Sequence, residues 1–165
     1  MKNKRGYTLV ELIISVGLFA LIMMLASGAY FVMININRQA QGIATGINNL
    51  SFALETMTRT IRTGTNYSCN SGGDCQYGGI NFSVISSRGI ATNYSLSSGT
   101  IIQNGVALTD PSINISSLIF YVSGTSRNDD YQPRVTIVVS GTISPGPSST
   151  ESCTIETGAT MRGID

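Results

Sequence analysis

The feature that most constrains this chain is a long uncharged segment close to its N-terminus. No charged residue occurs between Glu11 and Arg38, and most of the side chains between them are large and apolar. Built as a helix, residues 12–34 are roughly 34 Å long, enough to cross a hydrocarbon core of about 30 Å. The segment therefore predicts a membrane-spanning helix over residues 9–34.

The charges before this segment predict its orientation. Lys2, Lys4 and Arg5 precede the span, and cations beside a span favour the cytoplasmic side. We therefore expect a cytoplasmic N-terminus, with the rest of the chain outside. Removal by an ordinary signal peptidase near the small residues 26–29 is the alternative. It is disfavoured because the apolar run continues through Ile34, beyond the length of a secretory signal core.

A single carboxylate stands at the start of the span. An ionised Glu11 beside an uncharged run is costly unless another group pairs with it, which makes it a candidate functional residue. The alternative is that its carboxylate only reaches the membrane interface, close to the favourable N-terminus of the helix.

Composition argues against several classes of function. The chain has 165 residues, room for one globular domain besides the span, and it contains neither His nor Trp. Without His there is no Ser-His-Asp or Cys-His catalysis, so we expect no enzyme, no cofactor and no metal site. No basic, aromatic-interleaved surface suggests nucleic-acid binding. Asp129 and Asp130 offer too few oxygen ligands for Ca²⁺ and are interpreted as a solvated loop.

Three cysteines are present, and two of them lie close together. Cys69 and Cys75 flank a turn-rich Asn-Ser-Gly-Gly-Asp segment. We predict a disulfide between them if this part of the chain faces an oxidising compartment. Three free thiols, Cys153 included, are the alternative.

Helical periodicity continues beyond the span. A stripe of apolar residues in steps of four and three predicts one helix through residue 63, and Gly64 offers a stop. Gly42 and Gly46 are possible weak points in it. We expect the stripe to pack on a sheet; a free coiled coil is the alternative. The stripe consists of Ile36, Ala40, Ile43, Ile47, Leu50, Leu54, Met57 and Ile61.

After Gly64 the pattern changes to alternation and turns. Asn104-Gly105 is a hairpin signal, and Pro145-Gly146-Pro147 is expected to begin a Ser/Thr-rich loop. The fold class is thus α+β, a long N-terminal helix packed on a mainly antiparallel sheet. The predicted strands are 80–85, 90–96, 100–103, 106–108, 113–122, 134–143 and 153–157.

The segment Arg5-Gly6-Tyr7-Thr8-Leu9-Val10-Glu11, followed by the apolar run, resembles the class III signal of type IV pilins and type II secretion pseudopilins. In that family a prepilin peptidase cuts after the glycine and methylates the new N-terminal amine. The resemblance implies a leader at 1–6, a pilin-like helix at 7–63 and an extracytoplasmic head at 64–165. Gly6 would precede the cut, and Tyr7, in place of the usual Phe, would be methylated.

The same resemblance implies a role for Glu11, which corresponds to the glutamate at the fifth mature position. It would meet the N-terminal amine of a neighbouring subunit and set the register of assembly. The implied partners are the prepilin peptidase, other pilin or pseudopilin subunits and the inner-membrane assembly platform. The implied location is first the membrane and then a cell-surface or periplasmic filament.

Features further along the chain resemble minor pseudopilins of the J type and minor pilins of the W type. These are residues 54–62, the hairpins after them and Tyr131-Gln-Pro-Arg-Val135. Gly28 stands where major pilins usually carry Pro. The alternative is a binding function, in which the N-terminal segment is an uncleaved signal anchor for a surface adhesin or receptor. The mature chain would then begin at Met1 instead of Tyr7.

Overall fold

A computed structural model describes residues 6–70, 72–126, 132–146 and 149–162. In these ranges the chain forms one helix, α1, from Leu9 to Thr63, and nine strands. The leader cations Lys2, Lys4 and Arg5 and the pair Asp129-Asp130 lie outside the described residues. The strands are β1 Thr65–Cys69, β2 Cys75–Gly79, β3 Phe82–Ile85, β4 Ala91–Ser97, β5 Thr100–Gln103, β6 Val106–Ala107, β7 Ile113–Ser123, β8 Arg134–Gly146 and β9 Ser149–Thr160.

The structure divides into two compact units, with the boundary between Ala40 and Gln41. The described part of the N-terminal unit consists of the first part of α1 and the residues before it, and nearly all of its large apolar side chains are exposed; Tyr7 is 87% and Met23 51% exposed. The C-terminal unit groups the rest of α1 with all nine strands.

The end of α1 is held by a side chain from β1. Gly64 N donates to Ile61 O at 3.1 Å, which closes the last turn. The Tyr67 hydroxyl lies 2.6 Å from Ile61 O and 2.8 Å from Gly64 O, so its single proton is shared between these two carbonyls at the end of the helix. Burial raises the pKa of Tyr67 to about 12, so the donor stays protonated. The predicted stop at Gly64 is confirmed.

The strands form two antiparallel sheets around one core. The first has the order β1-β3-β4-β5-β6 and the second β2-β7-β8-β9. The prediction of a helix with antiparallel strands is confirmed, although two sheets replace the single one expected. The hairpin at Asn104-Gly105 is also confirmed: both residues have positive φ, 50° and 82°, and join β5 to β6. The central aromatic residues of the core are Phe82, Tyr94 and Phe120, with Phe82 stacked on both others.

Two strands, β1 and β2, were not predicted, because both sequences are largely polar with little alternation and β2 ends in two glycines. Each forms an edge of a different sheet. Cys69 at the end of β1 and Cys75 at the start of β2 form a disulfide with a Cα–Cα distance of 6.0 Å. The disulfide thus joins the two sheets. Cys153 is a half-buried free thiol on β9.

The prediction of a Ser/Thr-rich loop after Pro145 is wrong. Strand β8 continues through Pro145 to Gly146, and β9 already begins at Ser149, which pairs with Gly146. Proline is tolerated here because β7 stops pairing with β8 at Ile143, so this part of β8 has a neighbour on one side only. Pro147 lies outside the described residues.

Gly42 and Gly46 are positions of close packing in the structure. A Cβ on Gly42 would lie 2.7 Å from Pro145 Cα, and one on Gly46 would lie 2.8 Å from Ile143 Cγ2. The absence of side chains therefore lets the end of β8 approach the helix backbone.

Candidate functional site at the helix N-terminus

The helix begins directly after a short extended segment. Gly6, Tyr7 and Thr8 are non-helical and exposed, and a Cβ at Gly6 would meet no heavy atom within 4 Å. The first helical hydrogen bond is donated by Leu12 N to Thr8 O at 3.2 Å. The peptide bond between Gly6 and Tyr7 is thus open to a second molecule.

Thr8 and Glu11 form a reciprocal pair at this helix start. Glu11 N donates to Thr8 Oγ1 at 3.3 Å, and Thr8 N donates to Glu11 Oε2 at 3.5 Å. This is a capping box, in which the side chains satisfy amides that the helix leaves unpaired. Both distances are long, so each bond is weak. The carboxylate also lies at the positive end of the helix dipole.

The capping role of Thr8 was not predicted from the sequence. The signal was present, because a Ser or Thr followed three residues later by Glu, before an apolar run, is the mark of a capping box. Glu11 was interpreted only through its charge, although its carboxylate also accepts a hydrogen bond from Thr8 N at the start of the helix.

The Glu11 carboxylate keeps one oxygen for another contact. Glu11 is exposed, and among the described residues its Oε1 has no hydrogen-bond partner. Tyr7, Glu11, Leu12 and Ser15 line a shallow open groove on one side of the helix. The Ser15 hydroxyl is already used, because it donates to Leu12 O at 2.9 Å. The groove thus offers one charged acceptor beside an exposed aromatic ring.

The start of the helix therefore exposes two features to other proteins, the Gly6–Tyr7 peptide bond and the carboxylate of Glu11. Within the described ranges, no group of three or more His, Cys, Asp or Glu side chains comes together to hold a metal ion. By length and composition, α1 is able to cross a membrane, and its apolar part near the N-terminus fits membrane anchoring. A signal sequence would satisfy the same two criteria.

Comparison with known proteins adds a match at this same end of the chain. No curated protein and no solved structure matches the chain significantly. Residues 1–27 match the family model described as the prokaryotic N-terminal methylation motif. The chain therefore carries a prepilin-type N-terminal segment, of the kind that type IV pilin-like structural subunits have.

Proposed function

We propose that this chain is the precursor of a minor pilin or pseudopilin subunit, cleaved after Gly6 and N-methylated on Tyr7 by a prepilin peptidase. The observation that carries this proposal is the methylation motif at residues 1–27, which includes the start of a 55-residue helix whose first part has exposed apolar side chains. The work of such a subunit is structural, and no catalytic step is assigned to it.

The geometry around Gly6 supports the cleavage step. A peptidase must bind the scissile bond in an extended conformation, and a bond inside a helix would first have to unwind. Here the helix starts at Leu9, so the Gly6–Tyr7 bond is exposed and outside it. The leader cations Lys2, Lys4 and Arg5 would hold the cleavage site on the cytoplasmic side of the membrane.

The geometry around Glu11 supports the assembly step. Cleavage leaves a primary amine at Tyr7, methylation converts it to a secondary amine that is cationic at neutral pH, and Glu11 keeps a free carboxylate oxygen beside the apolar span. The amine of a neighbouring subunit would pair with this oxygen. Charge attraction grows as the local dielectric constant falls, while the loss of hydration offsets part of the gain. The contact therefore acts mainly on register, because only one axial offset satisfies both charges.

The other partners follow from the same role. Before assembly the subunit would stay in the membrane, with its head, residues 64–165, outside; afterwards it would join a type IV pilus or a secretion or competence pseudopilus. Other pilin or pseudopilin subunits and the inner-membrane assembly platform are the partners of that step. A J-type or W-type minor subunit fits Gly28, where α1 continues without a proline break.

Co-expression with a prepilin peptidase tests this function directly. We expect the intact mass to fall by residues 1–6 and to rise by one methyl group, and N-terminal sequencing to begin at Tyr7. An inactive peptidase variant is the control for cleavage. Gly6→Leu should block processing without disturbing the fold, since nothing lies near that position. A chain that still begins at Met1 beside the active peptidase would instead favour the uncleaved signal-anchored adhesin or receptor.

A further inference from the structure

We propose that the cleft between the last turn of α1 and the β3–β4 hairpin binds an anionic saccharide. Arg59 from the helix and Arg88 from the hairpin line this cleft together. Its remaining lining is made of hydroxyl and amide side chains and one isoleucine. All of these residues belong to the C-terminal unit, and the site does not depend on the processing of the N-terminus.

Positive charge is concentrated at this end of the unit. Arg59 and Arg62 lie one turn apart on α1, and Arg162 N donates to Arg62 O at 2.9 Å. With Arg88, four of the five arginines in the described part of the C-terminal unit are found here. One carboxylate, Glu55, contacts the group, at 2.9 Å from Arg59. The surface therefore attracts anions.

A helix C-terminus favours nearby cations by itself, which would explain Arg59 and Arg62. It does not explain Arg88, which lies on a separate hairpin. In the described residues Arg88 has no hydrogen-bond or ion-pair partner. The turn that carries it is well defined: Gly89 N donates to Ser86 O, and Ser86 N donates to Ile90 O, each at 2.9 Å. A second arginine thus lines the cleft from a hydrogen-bonded turn.

The two arginines supply the donors that an oxyanion needs. A guanidinium binds a carboxylate, sulfate or phosphate through two parallel hydrogen bonds. Arg59 spends one Nη2 contact on Glu55, and that pair is exposed, with 77% and 68% of the side chains accessible. Exposed pairs of this kind are weak, so an incoming anion can share the guanidinium.

The hydroxyl groups supply acceptors. Thr63 Oγ1 already donates to Arg59 O at 3.1 Å, and Ser86 Oγ donates to Ile90 O at 3.0 Å. A hydroxyl has one proton and two lone pairs, so each of these groups can offer only acceptor sites to the cleft. An oxyanion that also carries O–H or N–H donors matches guanidinium donors and hydroxyl acceptors together. Sugars that bear an acidic group have this combination.

Binding should be measured with the full-length chain in a non-ionic polyoxyethylene detergent, which contains no sugar. The probe is a galacturonate trimer, and isothermal titration calorimetry gives the affinity. We expect saturable binding, about tenfold weaker for Arg88→Gln because a charged donor pair is lost. Arg88→Lys, which keeps the charge but not the planar fork, should lose less than Arg88→Gln.

Arg62→Gln is the matched control, since it removes the same charge from the same end of the unit but outside the cleft lining. If Arg62→Gln lowers the affinity as much as Arg88→Gln, binding reflects general electrostatic attraction and the proposed site is wrong. The absence of saturable binding would also overturn the proposal. A neutral galactose trimer that binds as tightly as the acidic one would overturn the role of the arginines. If a triglutamate peptide binds with equal affinity, the saccharide proposal is wrong and the ligand class is an acidic peptide.

Discussion

The two units of this protein use the same helix in opposite ways. In the N-terminal unit Met24 is 78% and Leu25 is 69% exposed, whereas in the C-terminal unit Leu50 and Met57 are fully buried. All six buried residues of α1 lie at or after Gly46. An apolar surface as continuous as that of the N-terminal unit is unfavourable in water. One unit contains its own core, and the other needs a lipid or protein environment.

The largest expected effect comes from separating the two units. A chain that begins at Gln41 should remain in the aqueous phase of a Triton X-114 phase separation, whereas the full chain should enter the detergent phase. The reason is that most of the exposed large apolar side chains lie before residue 41 and follow one another along the chain from Tyr7 to Ile36, whereas those after it are scattered over the rest of the chain. Cooperative thermal unfolding of the short chain would show that the C-terminal unit has a sufficient core. Its partition into detergent, or a non-cooperative transition, would contradict this comparison.

The next effect concerns assembly, where the proposed role of the Glu11 charge can be separated from the role of Glu11 in the capping box. Glu11→Gln keeps the capping box, since Gln can replace Glu in that motif, but it removes the charge. If the charge sets register, incorporation into filaments should fall about tenfold or more, because an incoming amine then loses its partner. The measurement is the subunit content of sheared filaments, relative to the amount in the membrane.

Thr8→Ala provides the complementary variant, because it removes the cap oxygen and retains the charge. It should cost about 0.5 kcal/mol of helix stability, the lower end for an N-cap because the bond is long, and leave incorporation nearly unchanged. Normal assembly of Glu11→Gln together with a defect in Thr8→Ala would show that the capping box, and not the charge, is the essential feature.

Sequence reasoning succeeded where the local pattern and the packing agree. Leu50, Leu54, Met57 and Ile61 were expected on the packed side of α1, and all four are buried. Their burial against the strands excludes a free coiled coil for this part of the helix. The same stripe failed nearer the span: Ile36 is 61% and Ile47 is 42% exposed.

The reason for this failure is a contact that periodicity does not encode. Around residues 42–46, β8 approaches α1 at the two glycines, which have no apolar side chain to add to a stripe. The full length of the β8–β9 pairing was not predicted for a similar reason. Its end is rich in serine, threonine and proline, which give no strand pattern, and the strand conformation there depends on pairing with the neighbouring strand. At the candidate site, Gly6, Tyr7 and Glu11 were visible as a motif, but the capping partner was not recognised.

A matched pair of glycines sharpens the comparison at the level of single residues. Gly46→Ala should destabilise the C-terminal unit, because its Cβ would lie 2.8 Å from Ile143. Overpacking costs about 1–3 kcal/mol and the better helix propensity of Ala returns about 1 kcal/mol, so we expect a net loss of about 1 kcal/mol. Thermal unfolding measured by near-UV circular dichroism reports this unit.

Gly28→Ala is the control for that change, in the same helix but in the other unit. A Cβ on Gly28 would meet no atom within 4 Å, so the unfolding of the C-terminal unit should not shift. Equal destabilisation by both variants would mean that the loss arises from the helix itself and not from the contact with β8.

The smallest effect depends on pH and is confined to the C-terminal unit. Asp74 accepts hydrogen bonds from Thr125 Oγ1 at 2.7 Å, Thr125 N at 2.9 Å and Gly124 N at 3.3 Å. The hydrogen bond from the Thr125 hydroxyl is the largest cause of the lowered pKa of Asp74; burial opposes it, and the backbone amides of Thr125 and Gly124 lower the pKa further. These contacts connect the segment between Cys69 and Cys75 to the end of β7.

Because the folded pKa lies below the ordinary value of about 3.9, the ionised carboxylate stabilises the fold above that value. The contribution is lost as the pH falls through the lowered pKa. Asp74→Asn should therefore be less stable than wild type at pH 6, by under about 1 kcal/mol since the group is exposed, and the gap should close towards pH 2. Thr125→Val should reproduce part of the gap. A difference that stays constant with pH would assign the effect of Asp74→Asn to packing of the loop, and not to the charge of its carboxylate.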